Sequence, residues 1–275
     1  MSFIADCKII CLINNTAAPG YQAEHGISFH IESKCLRMLY DTGQSGDVLL
    51  HNAKAAGLDF RWLGLILLSH GHYDHSGGLL KALDKSGTIK LMALEPAFNK
   101  KFVLKDDKLK DISLPFEVKN LWNYCDIIHQ QGPHSIRGGL WATGEIPRIT
   151  PFEKPDSRFM EEHKGAMCTD PLKDDQSIVV DTGDGLMLIS GCCHSGIVNT
   201  MLQVKALFRR YPTTIVGGLH LESADEARIN ATVEALKEAG VKKAILGHCS
   251  GKKIADALAQ AGVEVVPLQA GMRIL

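Results

Sequence analysis

The chain has 275 residues, 45% of them hydrophobic and 22% charged, with a formal net charge of −1. That is enough apolar material for one large core, and nothing demands a second domain over residues 1–275. Lys and Arg are scattered in short doublets, Lys100-Lys101 and Arg209-Arg210 among them, which read as solvated faces and argue against a nucleic-acid surface.

Residues 6–13, 27–32 and 36–41 read as strands, and Val48 to Ala56 as a helix ending at Gly57. A further strand at 64–69 carries the apolar run Leu63-Gly-Leu-Ile-Leu-Leu68, and a helix is expected over 76–85 with Ser76 as its cap. Residues 95–175 form a polar, Pro-containing stretch, rich in Lys and Asp at its beginning, which reads as an inserted lid or substrate-binding region. Within it, Gly138-Gly-Leu-Trp-Ala-Thr-Gly-Glu-Ile-Pro-Arg148 offers closely spaced backbone amides. With Arg148, and Glu145 beside it, these could receive a substrate's anionic group, although a tight loop with local pairing of the Arg is an equal reading. Ser177–Asp181 and Leu186–Ser190 then form a hairpin, with Asp181 as a turn residue, and helix, strand, helix (Ala224–Glu238) and strand follow to about Leu246. Two such halves predict an α/β sandwich of two sheets with helices outside.

The chemistry concentrates in His70-Gly-His-Tyr-Asp-His75, three imidazoles and a carboxylate directly after a buried strand. Alternate residues of an extended chain share a face, so His70 and His72 point the same way, and Asp74 and His75 stand where a second ion could be held. Imidazole with carboxylate suits zinc, manganese or ferrous iron rather than calcium or magnesium. Three further histidines follow apolar runs and glycines: His194, His220 and His248. Strands of such sheets bring their carboxyl ends to one edge, which makes all three site residues.

The segment Leu67-Leu-Ser-His-Gly-His-Tyr-Asp-His-Ser-Gly-Gly78 resembles the defining motif of the metallo-β-lactamase superfamily, and Asp41-Thr-Gly43 is similar to its first motif. The resemblance implies a four-layer αββα sandwich and two divalent transition-metal ions, zinc foremost. His70, His72 and His194 would hold one ion, and Asp74, His75 and His248 the other. Asp41 would brace the metal loop from behind. His220 would act as proton donor or substrate contact, and Asp74 would also orient a metal-bound water. Where the superfamily has a His opening the hairpin and a bridging Asp closing it, this chain reads Lys173-Asp-Asp-Gln176 and Gly191-Cys192. Cys192 or Asp175 could enter the site as a ligand, or support it from outside.

Thr143-Gly-Glu-Ile-Pro-Arg148, Asp174-Asp-Gln176, Gly191-Cys-Cys-His-Ser-Gly-Ile-Val-Asn199, Gly217-Gly-Leu-His-Leu221 and Gly247-His-Cys-Ser-Gly251 together resemble one branch. It is named for 7,8-dihydropterin-6-ylmethyl-4-(β-D-ribofuranosyl)aminobenzene 5′-phosphate synthase. The implied activity is a metal-dependent hydrolase or transferase acting on a small phosphorylated, pterin-related substrate. A thioester or lactone hydrolase of the same fold is the alternative enzyme, and a metal-dependent binding or redox-sensing module the alternative without catalysis. Eight cysteines without a secreted spacing pattern, no membrane-length apolar segment and no leader-like start at residues 1–8 suggest a soluble cytoplasmic protein. Its partner would be a small molecule, with neither nucleic acid nor membrane, and homo-oligomerisation is left open.

Overall fold

The computed structural model describes residues 7–87, 89–163 and 165–275. In chain order the elements are β1 (Cys7–Ile13), β2 (Ser28–Ser33), β3 (Leu36–Tyr40), α1 (Gly46–Ala55), β4 (Leu65–Leu67), α2 (Tyr73–Ser76), α3 (Leu79–Lys85), β5 (Ile89–Leu94), β6 (Lys100–Lys105), β7 (Lys108–Asp111) and β8 (Cys125–Gln130). They continue with β9 (His134–Arg137), β10 (Leu140–Ala142), β11 (Phe159–His163), β12 (Ala166–Thr169), β13 (Ser177–Asp181), β14 (Leu186–Ser190), α4 (Ile197–Phe208), β15 (Thr214–Gly217), α5 (Glu226–Glu238), β16 (Lys243–Leu246), α6 (Lys252–Gln260) and β17 (Glu264–Pro267). Residue 6, the expected start of the first strand, lies outside the described residues, as do the other residues of the expected leader-free start except Cys7 and Lys8.

The chain divides into two compact units, the first comprising Lys8–Gln131, Pro155–Asp174 and Gln269–Leu275, and the second Gly132–Lys154 and Asp175–Leu268. In the first unit a six-stranded sheet runs β1-β2-β3-β4-β5-β8. Strands β3, β4, β5 and β8 are parallel, so residues that follow β3 and β4 leave from one edge. Its core gathers Leu12, Leu39, Ile66, Leu68 and Leu91 of the sheet with Leu49, Leu79 and Leu83 of α1 and α3. Helix α1 starts where Ser45 Oγ accepts the Val48 N–H at 3.4 Å, an N-cap that satisfies one of the orphan amides.

The helix expected over 76–85 is broken. A Cβ at Gly77 would come within 2.0 Å of the Gln44 carbonyl oxygen, and one at Gly78 within 2.3 Å of the Thr42 carbonyl oxygen. The chain has to pass that close to the 42–44 backbone, and only glycine permits it. Ser76 is no cap either, since its hydroxyl donates back to the His72 carbonyl at 2.9 Å.

The stretch 95–175 is more ordered than its composition suggests. Strand β8 extends the six-stranded sheet, β9 and β10 join the sheet of the second unit, and β6, β7, β11 and β12 form a separate four-stranded antiparallel sheet in the order β12-β11-β6-β7. The reading of Lys100-Lys101 as a solvated doublet is corrected for Lys101, which is fully buried because two aspartates surround its ammonium.

The second unit is built on a seven-stranded sheet in the order β17-β16-β15-β14-β13-β10-β9. Strands β13 and β14 form the expected hairpin, with Ser177 opposite Ser190 and Asp181 opposite Leu186. Asp181 Oδ1 accepts the Gly183 N–H at 3.1 Å and pairs with Arg210 at 2.7 Å, which fits a turn residue. Strands β14, β15, β16 and β17 are parallel neighbours. Their carboxyl ends therefore meet at one edge, and helices α4, α5 and α6 pack through Met201, Val204, Ile229, Val233, Ile254 and Leu258 into the core. Among the described residues no helix is long and apolar enough to cross a membrane.

Candidate metal centre

In the first unit, β3 leads directly to Asp41 and β4 leads to His70. Asp41 is fully buried, takes a left-handed backbone (φ 60°), and accepts the Asp-to-Ser69 contacts twice: from Ser69 N to Oδ1 and from Ser69 Oγ to Oδ2, both at 2.6 Å. Its Oδ2 also lies 2.7 Å from His75 Nδ1. The Ser69 hydroxyl, having given its proton to Asp41, accepts from His70 Nδ1 at 2.8 Å. This network assigns the ring proton of both His70 and His75 to Nδ1 and turns each Nε2 away from Asp41 and Ser69.

His70 Nε2 lies 2.9 Å from His72 Nδ1, and the His70 and His75 rings are 4.1 Å apart between centroids. Burial, and then the neighbouring His75 and His72, hold the His70 imidazole well below its ordinary pKa and so in the neutral form that binds metals. The His72 ring stacks on Phe159 at 5.4 Å. Asp74 Oδ2 is 3.2 Å from His25 Nε2 and 3.8 Å from His75 Nε2. His25 precedes Gly26, where a Cβ would come within 2.2 Å of the Asp74 carbonyl oxygen. A lone exposed His before a glycine carries no signal in the sequence.

In the second unit the residues after β14, β15 and β16 converge. The His194 and His220 rings are 4.3 Å apart. Cys192, His220 and Cys249 each offer a donor atom within 4.8 Å of the others, and the two sulfurs are 3.4 Å apart. The His220 N–H donates to Cys249 Sγ at 3.3 Å. Burial alone would raise the Cys249 thiol. The hydrogen bonds from Cys192 and His220 and the nearby His248 and His220 rings outweigh it and hold the thiol well below its ordinary range. Cys193, His220 and His248 all take left-handed backbones, at φ 60°, 50° and 51°. Such conformations cost about 1 kcal/mol or more each in non-glycine residues and cluster at functional sites.

The other expected site residues, Asp175, Arg148 and Glu145, lie in the second unit. Asp175 is buried and its Oδ2 accepts the Ser195 N–H at 2.7 Å, beside His194. Arg148 is half-buried, its Nη1 donating to the Glu153 carbonyl at 3.2 Å, and its charge faces Asp175 and Glu153. An anion at Arg148 would compete with those carboxylates. Glu145 is exposed, and its carbonyl accepts from Gln203 Nε2 at 3.0 Å. Glu153, which no motif marks, is fully buried and holds the start of α4, accepting the Val198 and Asn199 amides at 3.0 and 2.6 Å and pairing with Arg228 at 3.3 Å.

The model of the metallo-β-lactamase superfamily matches residues 31–248. The chain belongs to that superfamily and has its mixed α/β fold. It is 30% identical over 254 residues to the Methanocaldococcus jannaschii protein named 7,8-dihydropterin-6-methyl-4-(beta-D-ribofuranosyl)-aminobenzene-5'-phosphate synthase, covering 85% of this chain and 83% of that one. Among solved structures it is similar to Tm1679, described as a metal-dependent hydrolase of the β-lactamase superfamily, at 28% identity and a TM-score of 0.86, covering 98% of this chain and 99% of that one. The metallo-β-lactamase fold protein YhfI of Bacillus subtilis shares the fold at 14% identity and a TM-score of 0.59, covering 98% of this chain and all of that one.

The donor set fits a divalent transition metal. In the first unit His70 Nε2 and His72 Nδ1 face each other at 2.9 Å, which brings two imidazole donors together, and hydrogen bonds behind His70 and His75 orient both rings.

Proposed function

We propose that the protein is a metal-dependent enzyme that hydrolyses or transfers a group on a small phosphorylated, pterin-related substrate. The observation that carries the proposal is the buried loop His70–His75, in which burial favours the neutral His70 imidazole and Ser69 and Asp41 hold the Nδ1 sides of His70 and His75. The 30% identity to a protein named as a pterin-related phosphate synthase supports the substrate class.

His70, His72, Asp74, His75, His194 and His248 are the proposed ligands of two divalent ions, zinc foremost. Bound there, the ions would lower the pKa of a coordinated water to about 7 and stabilise charge on the attacking and leaving oxygens. Asp74 would hold the attacking water in line, and His220 would protonate the leaving oxygen or contact the substrate. Asp41 keeps His75 in its ligating tautomer, and Asp175 fixes the backbone beside His194. Arg148 would reach a remote anionic group by exchanging its bond to the Glu153 carbonyl.

The test is elemental analysis of gently purified protein followed by a phosphatase and phosphodiesterase panel with the native metal restored. His72→Ala should lose metal and turnover together. A folded His72→Ala protein that holds under a tenth of the wild-type metal yet keeps full activity would defeat the proposal. A second reading, a redox-sensing module, is favoured by the Cys192 and Cys249 sulfurs at 3.4 Å. It requires that thiol oxidation change partner binding and that no substrate of the panel turn over.

A further inference from the structure

Residues of the 95–175 stretch hold the backbone of the His70–Asp74 loop at three places. The Gly71 N–H donates to Asp174 Oδ2 at 2.8 Å. On the other side of the same residue, a Cβ would come within 2.0 Å of the Ala97 carbonyl oxygen, so only glycine fits. Two residues on, the Tyr73 N–H donates to the Ile112 carbonyl at 3.0 Å. The two histidines on either side of Gly71 thus stand on a backbone whose amides are held by partners distant in the chain.

Asp174 does not act alone. Its Oδ1 lies 3.1 Å from Lys101 Nζ, and the same ammonium lies 2.7 Å from Asp170 Oδ2. Lys101 and Asp174 are completely buried, and Asp170 is 1% exposed. Lys101 is also tied to the segment that holds Tyr73. Its carbonyl accepts the Ile112 N–H at 2.9 Å, and its N–H donates to Ser113 Oγ at 2.8 Å. Burying three ionisable side chains costs several kcal/mol per ion, and a well-packed apolar trio of the same volume often gives equal or greater stability. Stability therefore supplies no reason for charges here. An apolar side chain at 174, however, could not accept the Gly71 amide, and Asp174 without Lys101 would be a buried charge free to rotate away from it.

We infer that Lys101 and Asp174 are positioning residues for the metal-ligand loop: Lys101 fixes Asp174, Asp174 fixes the Gly71 amide, and that backbone sets where His70 and His72 point. The inference rests on the reading of this loop as a metal site. It gives part of the 95–175 stretch a task besides any contact with substrate, which is to buttress the ligands from behind. Partners that orient metal ligands typically contribute about 10–100-fold in affinity.

The experiment compares Asp174→Asn and Lys101→Met with Met201→Ala, a core substitution in the second unit that lowers stability without touching this network. Zinc affinity is read by chelator competition, ligand geometry by the visible absorption of the cobalt-loaded protein, and loop mobility by hydrogen exchange at the Gly71 and Tyr73 amides of the metal-free protein. Both network variants should bind zinc about 10–100-fold more weakly, shift the cobalt bands and exchange these amides at least about tenfold faster than wild type. Met201→Ala should do none of these. If Lys101→Met fails to fold, the isosteric Asp174→Asn carries the test. A folded Asp174→Asn protein with wild-type exchange, affinity and spectrum overturns the inference. Wild-type protein that binds no zinc, but whose loop amides loosen in Asp174→Asn, sustains the brace and defeats the metal reading instead.

Discussion

Replacing Asp41 by Asn isolates one function of that carboxylate, the choice of the His75 tautomer. Asn tolerates the left-handed backbone found at this position (φ 60°), where Ala would add strain. It can still accept the Ser69 amide, which Asp41 binds at 2.6 Å through Oδ1. What changes is the group 2.7 Å from His75 Nδ1, where an NH2 donor replaces the Oδ2 acceptor. The imidazole must then present an unprotonated Nδ1 and carry its proton on Nε2, the nitrogen needed for metal. The Ser69 hydroxyl also loses its carboxylate acceptor and can turn away from His70 Nδ1, now 2.8 Å distant. A metal affinity lower by about 10–100-fold, equivalent to about 1.4–2.7 kcal/mol, follows from losing this orienting partner. Loss of two charge-assisted hydrogen bonds should lower folding stability by about 2–3 kcal/mol as well. Chelator competition and urea unfolding measure the two quantities separately. Zinc binding within a factor of two of wild type, in an Asp41→Asn protein shown to be folded, would refute the tautomer argument.

Two other perturbations follow from the packing. His30, buried on β2, has its imidazole pushed down from 6.5 to about 4, chiefly by burial, with Glu32 and Arg37 opposing one another. The unfolded chain thus takes up this proton first, so the contribution of neutral His30 is complete above pH 6.5 and lost as the pH falls toward 4. The loss is about 3 kcal/mol. Urea midpoints measured across that range should fall less steeply for His30→Phe, and identical slopes would exclude His30 as the source. Glu153→Ala would strip the acceptors of the Val198 and Asn199 amides and leave Arg228 without its carboxylate, at a cost of about 3 kcal/mol. A melting temperature unchanged by that substitution would show that α4 is anchored elsewhere.

The parts of this protein that the sequence declares are those where local pattern and tertiary role coincide. The apolar runs of β4, β14, β15 and β16 each lead to a histidine, and parallel pairing brings the last three to one sheet edge. The cap at Ser45 and the turn aspartate at Asp181 act within a few residues of themselves. Other features are settled by partners far along the chain, where no periodicity reports them. Lys101 looks like half of a solvated doublet until Asp170 and Asp174 fold around it. Gly77 looks tolerable within a helix until the Gln44 carbonyl is found against it. Strands β7 and β12 are exposed along their whole length, so they lack the alternation that would distinguish them from loop. Strand β10 has three residues and a register shift against β9, too short for a pattern. Glu153 reaches the start of α4 from a Pro-containing loop, beyond the range of any capping motif.

The central claim, that the oriented histidines exist to bind catalytic metal, is tested most directly by zinc stoichiometry measured on wild type and on His72→Ala beside turnover on a phosphoester panel. The account requires wild-type protein to hold divalent metal, and requires chelation and the substitution each to abolish metal and activity together, with restored metal returning activity to the wild type alone. Full turnover by thoroughly demetallated protein would contradict it.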